Sequence, residues 1–136
     1  MKLARWVFLI AGIYGLIVLV PQYFTEGMAA TQNPPAITHP EFYYGFLGVA
    51  IAWQFAFLVI SRDPVRYRGM IMPSILEKLT FGAAVLLLFF QQRASSMILG
   101  FALVDLTLGA LFTVALLKTK SAMPTNSAPS EARETL

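Results

Sequence analysis

Apolar and polar positions in this chain fall into long blocks rather than short alternations, and four blocks stand out: 6–20, 42–60, 75–90 and 97–117. A hydrocarbon core about 30 Å thick takes about 20 residues of α-helix to cross, so each block predicts a membrane span. The first block is slightly short. It extends to Leu3 and Ala4 on one side and to Tyr23 and Phe24 on the other, with a bend expected at Pro21. The third carries Glu77 and Lys78 near its start and recruits Met70 to Met72. The spans are therefore placed at about 4–24, 42–60, 72–90 and 97–117, within one transmembrane domain covering 1–118. The remaining segment, 119–136, is rich in Ser, Thr, Pro and Ala without periodicity, and reads as a disordered cytoplasmic tail.

Helix starts are marked by local chemistry. Thr38-His39-Pro40-Glu41 and Ser74-Ile75-Leu76-Glu77 both have the spacing of a capping box, in which a hydroxyl and a carboxylate satisfy free N–H groups at a helix start. Asp63-Pro64 predicts an N-cap with proline at the first helical position and a short interfacial helix over 64–69, while Ser95 and Ser96 can cap the fourth span. The outer segment 21–41 contains Pro34-Pro35 and is too long for a minimal turn. It is read either as a cover docked over the mouth of the bundle or a partner site, or as a plain connector.

Composition turns this pattern into a class. With 57% hydrophobic residues, 12% charged residues and a mean hydropathy of +0.68, the chain has more apolar surface than a soluble domain of this size can bury. The predicted fold class is an all-α membrane protein, a four-helix transmembrane bundle. There is no cysteine, which removes disulfides, thiolate metal sites and iron–sulfur clusters. His39 is the single histidine, so the chain cannot supply two axial imidazoles to a haem, and no cofactor or metal site is predicted.

The formal charge of +3 reflects topology rather than a nucleic-acid footprint. Lys2, Arg5, Arg62, Arg66, Arg68, Lys78, Lys118, Lys120 and Arg133 fall on one side of the spans and Arg93 alone on the other. By the positive-inside rule both termini and the loop 61–74 are cytoplasmic, whereas 21–41 and 91–96 face outward. A cleaved signal peptide is the rival reading of the first span, but Met28-Ala29-Ala30 is a poor cleavage site and a retained signal anchor fits better. The expected location is the bacterial cytoplasmic (inner) membrane, multi-pass, with lipid as the first partner. Arg62, Arg66 and Arg68, next to Tyr67, are candidate contacts to anionic headgroups.

Candidate chemistry centres on Asp105, near the middle of the fourth span. An acid there costs about +2.5 to +3.5 kcal/mol on insertion scales, so it should face protein and be paired or protonated. Ala102, Gly109 and Thr113 lie on its face at spacings of three and four, a small-residue stripe that admits close helix contact. Lys78 is the candidate partner, against the alternative that its amine snorkels to the interface. Glu77 reads first as the capping carboxylate of Ser74 and second as a member of an inward polar cluster beside Lys78. Gln54 and Tyr14 lie at comparable depth, so Tyr14, Gln54, Lys78 and Asp105 form a candidate intramembrane cluster with one polar group per helix. The cluster is read either as an internal hydrogen-bond network or as the wall of a narrow site. His39 and Glu41 form a candidate outer-mouth pair, with helix-start chemistry as the simpler explanation. Gly12, Gly15, Gly45 and Gly48 read as close-packing positions.

The runs Thr38-His39-Pro40-Glu41-Phe42-Tyr43-Tyr44-Gly45-Phe46, Trp53-Gln54, Asp63-Pro64-Val65-Arg66-Tyr67-Arg68 and Ile75-Leu76-Glu77-Lys78-Leu79 resemble those of small four-span bacterial inner-membrane proteins that carry no assigned activity. The overall plan also resembles DoxX-type four-helix proteins, some of them linked with quinone-dependent oxidoreductases. The resemblance implies the topology and no reaction. Three functions follow as expectations: a non-enzymatic accessory or scaffold subunit packing with itself or a larger complex, a small transporter or permease subunit using Asp105, or a quinone-associated subunit. The first is preferred because no catalytic motif is present.

Overall fold

The computed structural model describes residues 2–32 and 36–120. Among these the chain is entirely helical in its regular structure: α1 (Lys2–Gln22), α2 (Glu26–Gln32), α3 (Pro40–Arg62), α4 (Arg68–Phe90) and α5 (Ser96–Lys120). All but α2 are long and apolar enough to cross a membrane. Their outward faces carry large apolar side chains such as Ile17, Phe42, Met72 and Leu117, each more than half exposed, as expected where the surrounding solvent is lipid.

Two helix pairs make up the bundle. α1 packs on α3, α4 packs on α5, and α1 also contacts α5, whereas α3 and α4 meet only sparsely. Missing side chains create the close pairings. A Cβ on Gly12 would strike Leu58, one on Gly15 would strike the Gln54 amide, and one on Gly82 would strike Leu106. Gly45 and Gly48 face open space instead, with no neighbour near them among the described residues.

The apolar core sits at one end. Phe8, Phe57 and Phe112 have no exposed surface, with Phe8 stacked on Phe112 at 4.2 Å between centroids and Phe57 edge-on to Phe112 at 5.1 Å. Ala4, Ala11, Ile60, Ile71 and Ala115 complete it. These residues come from the start of α1, the end of α3, the start of α4 and the end of α5. The same end of the bundle therefore carries Lys2, Arg5, Arg62, Arg66, Arg68 and Lys118. We call it the basic end, and the opposite one the α2 end.

Several boundaries differ from the sequence pattern. α4 begins at Arg68 and runs through Pro73, several residues before the apolar run. Ser74 is consequently inside the helix, fully buried, its hydroxyl donating to the Met70 carbonyl at 2.7 Å, so it caps nothing. At α3 the N-cap residue is His39, Pro40 takes the first helical position, and no side chain makes a capping hydrogen bond. Asp63 does accept the Arg66 N–H at 3.1 Å, but 64–67 form a turn leading straight into α4 rather than a separate helix. Ser95 accepts the Ile98 N–H at 3.4 Å at the start of α5. α5 continues through Thr119, which the composition had assigned to the tail. Thr119 is 1% exposed and its hydroxyl bonds the Ala115 carbonyl at 2.9 Å. The rest of the expected tail, 121–136, lies outside the described residues, as do Arg133 and the Pro34-Pro35 pair.

The outer segment is partly ordered into α2. Tyr43 donates to the Gln22 carbonyl at 2.7 Å and Tyr44 to Glu26 Oε2 at 2.9 Å, fastening both sides of the α1–α2 turn to the start of α3.

Candidate functional site

Between the core and α2 the bundle is hollow. A cavity of about 400 Å³ is walled by all five helices. Tyr14, Gly15 and Val18 line it from α1, Ala50 and Gln54 from α3, Glu77 and Lys78 from α4, and Phe101 and Asp105 from α5. Met28 and Ala29 of α2 line its end. The hollow follows from the sparse α3–α4 contact, which lets the two pairs diverge above the aromatic core.

Lys78 lies where the hollow meets the core. The residue is 5% exposed, and its Nζ stands 3.1 Å from Asp105 Oδ1 and 3.3 Å from Glu77 Oε2. It also donates to Glu77 Oε1 at 3.4 Å and sits 5.4 Å from the centroid of the Phe57 ring, with the ammonium over its face. The early start of α4 explains why this amine stays inside. Ten residues of helix precede Lys78, about 15 Å at ~1.5 Å per residue, so its stem cannot carry the charge to the interface. Measured from the α2 end, Lys78 is about 18 Å down α4 and Asp105 about 13 Å down α5, a difference that a lysine stem spans. Buried charges are tolerable only when paired, and here a single amine serves two carboxyl groups.

The small-residue stripe on α5 supports this geometry. Ala102 is fully buried, and a Cβ on Gly109 would come within 3.5 Å of the Lys78 Cβ, so α4 passes close enough for the ion pair to form. Thr113 does not join the stripe. It is exposed and bonds the Gly109 carbonyl of its own helix.

Of the four residues expected to cluster, the structure joins Lys78 and Asp105 directly. Tyr14 and Gln54 line the same cavity without bonding Asp105. Gln54, 2% exposed, donates to the Ala50 carbonyl at 2.9 Å, and its Oε1 lies against Gly15. The arrangement is thus a cavity wall, not a continuous network. Glu77 also belongs to this wall, the second of the two readings its sequence position allows. Its spacing from Ser74 suggested a cap, but with α4 starting at Arg68 both residues are mid-helix. Its Oε2 is buried and, although 3.3 Å from the Lys78 amine, has no aligned hydrogen-bond donor.

The other candidates lie apart from this site. His39 Nδ1 and Glu41 Oε1 are 3.2 Å apart at the start of α3, with side chains 66% and 64% exposed, and neither lines the cavity. At the basic end Arg62 and Arg66 are exposed, the Arg66 guanidinium lies 5.7 Å from the Tyr67 ring centroid, and Arg68 is half-buried with an unpartnered Nε.

A buried amine flanked by two carboxyl groups on a cavity wall can bind a charged or hydrogen-bonding group and can pass a proton between its members. It has no nucleophile poised by a base. No family model, no curated protein and no solved structure matches the chain.

Proposed function

We propose that this chain is a multi-pass protein of the bacterial cytoplasmic membrane that holds a small molecule inside its helical bundle, as a carrier or carrier subunit, with Glu77, Lys78 and Asp105 as the polar end of the binding site. One observation carries the reading: the ion triad is buried yet borders about 400 Å³ of space rather than packed side chains. Taking charges out of water is costly, and a triad kept for packing alone would be surrounded by side chains that complete its contacts. Leaving it beside a hollow favours a ligand. The same observation ranks this reading above an accessory or scaffold subunit, for which the glycines of the α1–α3 and α4–α5 seams give no support because they are filled inside the chain, leaving Gly45 and Gly48 open.

Orientation belongs to the same proposal. The basic end carries Lys2, Arg5, Arg62, Arg66, Arg68 and Lys118 against Arg93 at the other, so both termini are cytoplasmic and α2 lies on the outer side. Lys78 leaves that tally, being interior. Arg62 and Arg66 then meet the inner-leaflet headgroups. The resemblance to small four-span bacterial proteins agrees with this plan.

The test is native mass spectrometry of the protein purified from its own membrane. A small molecule should be bound to wild type and lost from Val18→Trp, which fills the cavity without touching the triad. Recovery only with protein partners and no small molecule would return the chain to the accessory-subunit reading. A bound quinone would specify the redox alternative.

A further inference from the structure

The cavity has a second boundary, on the lipid side. A shallower hollow of about 320 Å³ opens along the sparse α3–α4 seam, beside Val49, which is 63% exposed. Phe46, Ala50, Glu77 and Phe81 line both hollows. The partition between them is thus one layer of side chains, in which the Phe46 and Phe81 rings stack at 6.1 Å between centroids and 26° between planes. The other end is bordered by α2, whose Glu26 accepts from Tyr44, and by the end of α1, where the Gln22 carbonyl accepts from Tyr43. Displacing α2 breaks the Tyr44–Glu26 hydrogen bond, whereas no hydrogen bond joins α3 to α4 among the described residues, and exposed side chains rotate in picoseconds to nanoseconds.

Glu77 adds the chemistry. A carboxyl group bordering a seam open to lipid is costly unless something polar meets it, and its Oε2 is buried without a hydrogen-bond donor. The polar wall holds two carboxyl groups and one amine, so it has room for one more positive charge. The rest of the lining is largely apolar: Val18, Leu19, Phe81, Ile98 and Phe101.

We infer that the cavity is loaded sideways from the bilayer through the Phe46–Phe81 partition, and that its ligand is a membrane-dissolved amphiphile with a basic amine head, which docks on Glu77 while its apolar body fills the space towards α2. This inference rests on the binding reading above and adds to it a route and a ligand class.

The chain contains no cysteine, so a single Val18→Cys reports on the cavity alone. The variant is reconstituted in phosphatidylcholine vesicles and labelled with pyrene maleimide, which partitions into the membrane, or with an anionic sulfonate thiol reagent given to both aqueous faces. Each rate is normalised to that of the denatured protein. The expected result is at least tenfold faster normalised labelling from the membrane, accelerated severalfold again by Phe46→Ala with Phe81→Ala. Dodecylamine in the vesicles should protect the thiol and dodecanol should not, and the protection should vanish in Glu77→Gln, where Asp105 still pairs with Lys78. Equal or faster labelling from water overturns the lateral route while leaving a water-fed binding site intact. Equal protection by dodecanol overturns the amine assignment. A native protein that neither reagent labels has a cavity closed to ligands, which overturns this inference and the carrier reading together.

Discussion

The two halves of this bundle are built from the same helices and behave as different materials. Near the basic end, Phe8, Phe57 and Phe112 pack ring against ring between the helices without exposed surface. Towards α2, the same four long helices enclose about 400 Å³. The contrast separates what holds the helices together from what they hold. In lipid there is little hydrophobic gain between helices, so association relies on close van der Waals packing, which the aromatic half supplies. That leaves the other half free to keep a hole. Lys78 marks the division, its amine over the Phe57 ring on one side and its ion pairs on the cavity wall.

If Lys78 belongs to both halves, removing its charge should do the greatest damage. Lys78→Met leaves Glu77 and Asp105 as two buried carboxyl groups with no cation, and breaking a buried pair from one side costs about 3–5 kcal/mol. Reversible unfolding in mixed micelles should register a loss of that order. Adding Asp105→Asn to the same variant should recover part of it. Equal stability of Lys78→Met and wild type would mean that the triad is solvated and not part of the division.

The packed half is tested next by a matched pair of truncations. Phe112→Ala opens a void among rings that have no exposed surface, and large-to-small core changes of this kind cost about 3–5 kcal/mol in soluble proteins, of which the packing part of about 2–3 kcal/mol persists in lipid. Phe101→Ala trims a side chain that already borders empty space and is 39% exposed, so it should cost less than about 1 kcal/mol. Similar losses for both would erase the distinction between the halves.

Sequence pattern and structure agree best where the physics is one-dimensional. Four apolar runs of spanning length need four helices, and composition alone excluded a water-soluble chain. The pattern failed where two signals coincide. Ser74 and Glu77 have capping-box spacing at the start of the apolar run 75–90, and together they point to a helix start later than Arg68, whereas α4 runs on through Pro73. A transmembrane helix tolerates such a proline because neighbouring helices keep its freed backbone groups out of lipid. Extending α4 back to Arg68 moves Lys78 from the interface to mid-helix and brings Glu77 into the site. The pairing of Asp105 with Lys78 was legible as an option, since mid-membrane acids need partners. The cavity was not. It depends on how two helix pairs splay, and periodicity along one chain carries no record of that.

A smaller effect is expected at the α1–α3 seam. A methyl group on Gly15 would overlap the Gln54 side chain, which is buried and hydrogen-bonded to Ala50 and therefore has little freedom to move. Gly15→Ala should destabilise by about 1–2 kcal/mol, in the range of overpacking, and Gln54→Ala in the same protein should relieve it. A thermal scan of the single and double variants decides the matter. Additive losses would show that Gly15 and Gln54 are not in contact.

The smallest effect belongs to the strap over the α2 end. Tyr44 donates its hydroxyl to Glu26 Oε2, the first residue of α2, and Tyr43 holds Gln22 at the end of α1. α2 has seven residues, none of them buried, so the Tyr44 bond is its side-chain tie to α3 and a helix so short does not persist unaided. Tyr44→Phe removes one anchor and leaves the ring, which packs edge-on to Tyr23 at 5.1 Å between centroids. Global stability should not change measurably, because opening α2 exposes no core. Amide hydrogen exchange over 26–32 should rise severalfold while the amides around Phe57 and Phe112 keep their protection, since local openings draw on local contacts. If exchange rose equally in both places, the α2 end and the aromatic core would open as one unit and the two halves would not be separable. If it rose in neither, α2 would be held by contacts other than the Tyr44 hydroxyl.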